Sequence, residues 1–420
     1  MRSVLASALA ALACSAPAFA QVGSEPARVS LASLVEEAIA NSPEIAAARR
    51  RYDAALQRPA QERSLPDPMI SAGYAASGKP FPGAGLGTEP TANIGLMVTQ
   101  EIPYPGKLQL RADMSAKEAE AIRQEIDTAR LSVVARVKQA YFRLAYVDAA
   151  SDVLARNRQL LETLLKVSET RYGVGAAAQQ DVFKGQAELT LVELEQERLH
   201  QERRSREAEL NALLNREPAT AIGRVEDLAL VPFEITTDSL LADARAHAPM
   251  LLRDRTMIAR AEIGIASAKR DYKPDFALSG GYYYMGSMPA MYEVRFDVTL
   301  PLRRARRAAA VTEQSLKAEE ARRTLDATAR SIETRVQEDY QMAATALRLA
   351  RLYRDTLLPQ VRLALESSLA SYQTGKVEFL SVLTNFASVL EHEMRYFDEL
   401  ATFHAAASRI EEMTGAPLAH

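Results

Sequence analysis

Arg171-Tyr172-Gly173-Val174-Gly175 precedes Asp181-Val182, and further along the chain Ser371-Tyr372-Gln373-Thr374-Gly375 precedes Ser381-Val382 at the same spacing. The surroundings recur in the same order. Pro43 and Pro249 each open a helix, Pro66-Asp67 and Pro274-Asp275 each start a strand, Gln100 to Pro103 and Thr299 to Pro301 each end one, and Val137 to Tyr141 is answered by Val336 to Tyr340. A unit of about two hundred residues is too long for a solenoid, whose repeats run to roughly 50 residues. The pattern implies a duplicated chain whose halves assemble side by side. The halves are read as residues 21–220 and 236–416, joined by a linker at 221–235.

Each half contains two very long helices. Between Gly106 and Tyr172 there is neither proline nor glycine, and Val134, Val137, Tyr141, Leu144 and Val147 recur at spacings of three and four. One continuous helix over about 106–172 would extend roughly 100 Å at 1.5 Å per residue. Gly173 and Gly175 end it, and a second helix is expected over about 179–215. The second half repeats this with helices over about 303–372 and 377–413, the first of them kinked at Pro359. These are two antiparallel hairpins closed at Tyr-x-x-Gly tips. Their narrow apolar seams and many charges require helical neighbours on both sides. Taken alone, the helices fit a plain coiled coil or dimeric bundle.

Four short strands change that conclusion: about 68–77, 91–101, 276–284 and 291–300. In the last, Tyr292, Val294, Phe296 and Val298 alternate with Glu293, Arg295, Asp297 and Thr299. In the second, Ile94, Leu96 and Val98 alternate with Asn93, Gly95, Met97 and Thr99. Tyr282, Tyr283, Tyr284 and Tyr292 cluster near one end. Strands of this length, apolar on one face and polar on the other, match the lipid and lumen sides of an outer-membrane barrel. Four strands cannot close a barrel, and lipid does not tolerate an open edge. Two copies would give eight strands around a lumen filled by side chains, whereas three would give twelve and an open pore. Glu293, Arg295 and Asp297 are then the lumen candidates.

The ends and the composition agree with an exported protein. Arg2, the apolar run Val4 to Ala13, and Ala18-Phe19-Ala20 before Gln21 form a secretory signal over residues 1–20. The single cysteine, Cys14, lies within it, beside a weak lipobox that would allow acylation. A mature chain without cysteine excludes disulfides and thiolate metal sites. The formal net charge of −3 argues against a general affinity for nucleic acid. No later stretch reaches the roughly 18–20 apolar residues of a membrane-spanning helix.

The signal, the duplicated halves, the strand pairs inserted between long hairpins and the Tyr-x-x-Gly-x5-[Asp/Ser]-Val tips together resemble the TolC-like outer-membrane factors. The resemblance covers residues 31–416. It implies an α+β membrane protein in which long helical hairpins form a periplasmic α-barrel. Four strands per protomer then contribute to a trimeric twelve-stranded outer-membrane β-barrel. It also implies a passive homotrimeric exit duct in outer-membrane lipid, coupled through a periplasmic adaptor (membrane fusion) protein to an inner-membrane pump of the resistance-nodulation-division class. Tyr172, Gly173, Gly175 and Asp181 of the first tip, with Tyr372, Gly375, Lys376 and Glu378 of the second, are the implied gate and adaptor-docking residues. Ser381 and Thr384 stand where some members carry acids. Asp181 reads equally as a gate latch or as a helix N-cap. Pro66-Asp67-Pro68 and the segment Gln100 to Leu108 are similar to the branch serving heavy-metal pumps, so the implied cargo is heavy-metal cations, with drugs or other small molecules as the alternative.

Met285, Met288 and Met291, at or near the turn between the third and fourth strands, offer thioethers suited to a soft ion such as Cu(I), or apolar contacts at the headgroup level. The run Arg303, Arg304, Arg306 and Arg307 faces either lipid phosphates or the lumen. The five histidines show no paired ligand spacing. No phosphate loop, metalloprotease helix or nucleophile elbow occurs, so neither an enzyme nor a cofactor is expected. The competing reading is a periplasmic coiled-coil structural or adaptor protein in which the four strands form a small soluble sheet domain.

Overall fold

The computed structural model describes residues 28–76, 81 and 84–418. The signal, Cys14, Ser77 and His420 lie outside those residues. In chain order the elements are helices α1 (Leu31–Asn41), α2 (Pro43–Ala55) and α3 (Arg58–Arg63), strands β1 (Met69–Ala75) and β2 (Asn93–Ile102), and helices α4 (Lys107–Gly173) and α5 (Gln179–Leu213). There follow α6 (Thr237–His247), α7 (Pro249–Arg270), β3 (Asp275–Tyr284), β4 (Met291–Thr299), α8 (Arg304–Leu352), α9 (Leu358–Gln373) and α10 (Phe379–Thr414). Pro43 and Pro249 each occupy a first helical turn, where the missing N–H costs nothing. The Ser42 hydroxyl caps α2 by accepting from the Ile45 N–H at 3.4 Å.

Helix α4 has 67 residues and is the axis of the molecule. It packs against α1, α2, α5, α7 and α10, while α8 packs against α7 and α10, and α9 against α10. At the tip end the side-by-side order is therefore α5, α4, α10, α9. The expected seam holds at Val137, Tyr141, Leu144 and Val147, but Val133 rather than Val134 is its buried member. Val134 instead lines an open cavity beside Lys138 and Leu252. Three apolar clusters follow one another along the helices. One joins Leu154, Leu161, Val192, Leu365, Phe379 and Phe386 near the tips. A second packs α6 and α7 on α8 and α10, and a third packs α1 and α2 on the middle of α4.

The interruption expected at Pro359 in the helix over 303–372 lies just before that proline. The ring of Pro359 and its missing N–H displace the regular bond to the Asp355 carbonyl. The chain takes a wider π turn over Tyr353–Leu357 before α9 resumes.

The four strands form one antiparallel sheet in the order β1-β2-β3-β4, so β1 and β4 are its edges. Ile94, Leu96, Val98, Leu278, Tyr282, Tyr292, Val294, Phe296 and Val298 are all exposed, Val294 to 82%. On the other face Gly95 and Ser279 are buried, and Thr99 and Ser279 share a hydrogen bond at 2.9 Å. This is the reverse of a soluble sheet, which would turn its apolar face onto a core. Tyr283 departs from the expected aromatic cluster: its alternation places it on the polar face.

Tyr141 fastens the chain's start to α4. Its hydroxyl donates to the Val29 carbonyl and accepts from the Glu226 N–H, each at 3.0 Å, beside the parallel Val29–Val225 bridge. Burial pushes the phenol up to about 12. The stability that the neutral form contributes is complete below the ordinary value of 10.0 and is lost as pH rises toward about 12. Thermal unfolding in detergent should show this loss in the native protein. In Tyr141→Phe it should be absent, with stability at neutral pH lower by about 1–3 kcal/mol.

Candidate functional site

Both tips close by the same backbone device. At the first, the Gly175 N–H bonds to the Tyr172 carbonyl at 2.9 Å and the Ala176 N–H to the Arg171 carbonyl at 2.7 Å. At the second, Gly375 bonds to Tyr372 at 3.0 Å and Lys376 to Ser371 at 2.9 Å. This is the Schellman pattern, and it needs a left-handed residue, which Gly175 (φ 72°) and Gly375 (φ 76°) supply. Ala178 and Glu378 are the matching N-cap positions of α5 and α10. Asp181 is therefore not the N-cap. It is the third residue of α5, in the first turn, where its charge meets the positive end of the helix dipole. Among the described residues it makes no ion pair. Ser381 holds the same place in α10, and the Thr384 hydroxyl turns back to the Leu380 carbonyl at 2.9 Å.

The tips differ in one side chain. The Arg171 guanidinium lies over the Tyr372 ring, 4.8 Å from its centroid. It donates to the carbonyls of Tyr372 and, at 3.1 Å, Gln373, and to that of Ala176 at 3.3 Å. It thus fills the orphan carbonyls at the end of α9 from the opposite hairpin. Tyr372 is 3% exposed and packs on Phe379, whereas its counterpart Tyr172 is 45% exposed. Gly185 of α5 lets Phe379 approach, since a Cβ there would meet that ring at 3.3 Å. Gly173, Gly175, Lys376 and Glu378 are exposed around this contact. Reasoning from sequence passed over Arg171. The available signal was the substitution of Ser371 at the equivalent position.

The sheet carries the second group of candidates. On its polar face the Tyr283 hydroxyl donates to Glu293 at 2.7 Å, and Arg295 pairs with Asp297 at 3.0 Å. The Tyr283 ring lies across Gly95 and Gly281, and a Cβ at either would overlap it. At the β3–β4 turn the long loop from the first half folds back: the Gly87 N–H bonds to the Met285 carbonyl at 3.0 Å, and the Ser287 hydroxyl to the Gly87 carbonyl at 2.9 Å. Met285 and Met288 are half-buried in this turn and Met291 begins β4. Among the described residues no group of three or more His, Cys, Asp or Glu side chains is placed to hold a metal ion. His404 is a packing residue, stacked on Phe142 at 4.4 Å and bonded through Nε2 to the Ala229 carbonyl at 2.9 Å.

If Arg171 ties the two hairpins, Arg171→Ala loosens them without unfolding the bundle. Amide exchange should rise selectively over 368–380 and 171–178, corresponding to a local loss of about 1–2 kcal/mol for a half-exposed cation–π and carbonyl contact. Unchanged exchange at both tips would mean that apolar packing alone holds them.

Residues 34–216 match the protein family described as outer membrane efflux protein. No curated protein sequence matches the chain. Among solved structures, the outer membrane protein VceC from Vibrio cholerae superposes with a TM-score of 0.76 at 20% identity, over 93% of this chain and 97% of its own. A membrane protein from Pseudomonas aeruginosa gives 0.78 at 18%, over 92% and 90%. The outer-membrane channel OprN gives 0.74 at 17%, over 92% and 89%. The chain therefore has the fold of these outer-membrane proteins, and its residues 34–216 are similar in sequence to outer membrane efflux proteins.

Proposed function

We propose that the protein is an outer-membrane efflux channel with a large periplasmic portion, the passive exit duct of a tripartite system. Three copies form a twelve-stranded barrel continuous with a helical duct. A periplasmic adaptor docks on the tips, and a resistance-nodulation-division pump in the inner membrane supplies the energy. The carrying observation is the sheet: its apolar face is exposed, its two edges are open, and it caps helical hairpins about 100 Å long. Only closure with further copies in lipid satisfies all three. The free flanks of the helical layer agree, since Phe183, Leu191 and Leu194 on α5 and Leu363 on α9 are exposed and would cover one another between copies. Residues 21–220 and 236–416 act as structural repeats about the linker 221–235.

Within this reading Glu293, Arg295 and Asp297 face the lumen. Arg295 is neutralised by Asp297, which leaves Glu293 as the uncompensated charge and favours cations. Heavy-metal cations are the cargo we assign. Met285, Met288 and Met291 would be transient soft contacts at the outer mouth. Deleting the gene should raise sensitivity to copper, silver, zinc or cobalt. Sensitivity to drugs alone would reassign the cargo.

The eight tip residues, Tyr172, Gly173, Gly175, Asp181, Tyr372, Gly375, Lys376 and Glu378, form the periplasmic gate and docking surface. In a ring, Tyr172 meets Ser371 of the neighbouring copy, a seam with no guanidinium across it. The seam between copies is then the weaker one, and Asp181 latches it. Asp181→Ala should raise single-channel conductance in planar bilayers, while unchanged conductance would leave Asp181 as a dipole partner of α5 only. For the channel itself, the mature protein should leave outer-membrane fractions only with detergent, as a heat-sensitive trimer. Recovery as a soluble periplasmic monomer would overturn the proposal in favour of a coiled-coil structural protein.

A further inference from the structure

The junction between strand and helix is built twice, each time with a cation at the helix start, paired in the first half and unpaired among the described residues in the second. In the first half, Lys107 begins α4 and is 5% exposed. Its ammonium is held by Asp275 at 2.9 Å, the Lys273 carbonyl at 3.0 Å and Asp271 at 3.7 Å. Asp275 also accepts from the Tyr104 N–H at 2.7 Å. The end of β2 is thus strapped to the start of its neighbour β3. In the second half Arg304 begins α8 as Lys107 begins α4, with Arg303 before it. Neither side chain has a partner among the described residues, and both are exposed. Arg307 is already committed to the Asp271 carbonyl at 2.7 Å. A cation in the first turn of a helix is locally unfavourable, and an acidic partner from outside the protomer would offset that cost. The counterpart of Asp275 in the first half is Asp67, also exposed and also without a partner among the described residues.

The strand registers test this equivalence. Shifting β1 onto β3 by matching Pro66 to Pro274, and β2 onto β4 by matching Pro103 to Pro301, carries the pair Met69–Thr99 onto Ala277–Asp297, and that pair is observed. The halves are therefore equivalent in register as well as in order. The same shift carries the central pair Ile102–Phe276 onto Leu300–Pro68, and Gln100–Leu278 onto Val298–Ile70. Within one copy these residues lie on opposite edges of the sheet and cannot meet.

We propose that β4 pairs with β1 of a neighbouring copy in this register, Val298 opposite Ile70, and that Asp67 of the neighbour closes the junction on Arg304, assisted by Arg303. The interface rests on the trimeric barrel reading and goes beyond it by fixing register and charge partner. It repeats between copies the Lys107–Asp275 strap found within one. The connection from Pro301 to Arg304 is one residue shorter than that from Pro103 to Lys107, and the longer arginine side chain spans the difference. Val298 and Ile70 are both exposed apolar residues, so the pairing keeps one continuous lipid-facing surface.

Cysteine pairing reads the register directly. Ile70→Cys with Val298→Cys should give covalently linked subunits on oxidation, because opposed residues in an antiparallel pair lie about 4.5–5.5 Å apart at Cα. Ile70→Cys with Val294→Cys, four residues out of register, should not. Asp67→Lys should lower the dissociation temperature of the detergent-solubilised trimer by about 5 °C. Adding Arg303→Glu and Arg304→Glu should restore at least half of that shift. Cross-linking in the shifted pair but not in the first would overturn the register. An Asp67→Lys trimer of native heat stability would overturn the charge partner. So would loss of added anionic phospholipid from Arg303→Gln/Arg304→Gln with the trimer unweakened, since the arginines would then face lipid. A native protein that forms no trimer at all refutes instead the channel reading on which this one stands.

Discussion

Strands β1 and β4, the sheet's edges, each present a row of backbone N–H and C=O groups with no strand partner among the described residues. In water such an edge is satisfied by solvent, but the face it borders carries Ile94, Leu96, Val294 and Phe296 outward, and the setting proposed for that face is hydrocarbon. There each unpaired polar group costs several kcal/mol. The apolar face and the open edges therefore make incompatible demands of a single copy, and a closed ring of copies meets both. On the proposed closure, the rest of the architecture follows. The strands have to leave lipid on one side together, which sets the proline-rich junctions at Pro66, Pro103, Pro274 and Pro301 at one level. The helices then continue as neighbours in a ring rather than as a solitary bundle. Helix α4 can run for 67 residues because its narrow seam meets α5, α7 and α10 on successive stretches.

Much of this was legible in the residues. The alternation in β4 gave the orientation of the sheet, the paired prolines gave the strand starts, and the two glycines gave the turns that require positive φ. What was not legible depended on contacts between distant segments. Arg171 reads as an ordinary surface arginine until α9 is beside it, because its partners are main-chain carbonyls that carry no sequence signal. Asp181 fits the residue type of a cap, yet the cap position falls on Ala178, since the Schellman turn consumes the residues just before it. Tyr283 counts with Tyr282 and Tyr284 in composition, but alternation along β3 sends it to the opposite face, where it covers Gly95. The π turn precedes Pro359 rather than following it, because the proline disturbs the carbonyl four residues earlier.

The two halves also divide the work of holding the helical hairpins together. Inside one copy, α4 is strapped to the second half at both ends by a cation, Lys107 on Asp275 beside the sheet and Arg171 on the carbonyls of α9 at the tip. Between the two straps lie about 100 Å of packed helix. These contacts tie the two hairpins to one another at both ends.

The equivalent seam between copies keeps only one of the straps. On the proposed register Arg304 and Asp67 close it beside the membrane, but at the tip Ser371 stands where Arg171 would be, and Tyr172 is left 45% exposed. A ring of six hairpins would then alternate between seams strapped by a cation at both ends and seams strapped by one only beside the membrane, with the weaker Asp181 latch at the tip. Such a ring has one soft motion: each copy swings outward at the tip as a rigid pair, pivoting on the strand-to-helix junction. A duct that must stay sealed in the membrane while its periplasmic end opens needs this distribution of contacts. In the proposed ring the duplication supplies it through one substitution, serine for arginine at the tip, while arginine for lysine keeps a cation at the junction beside the membrane.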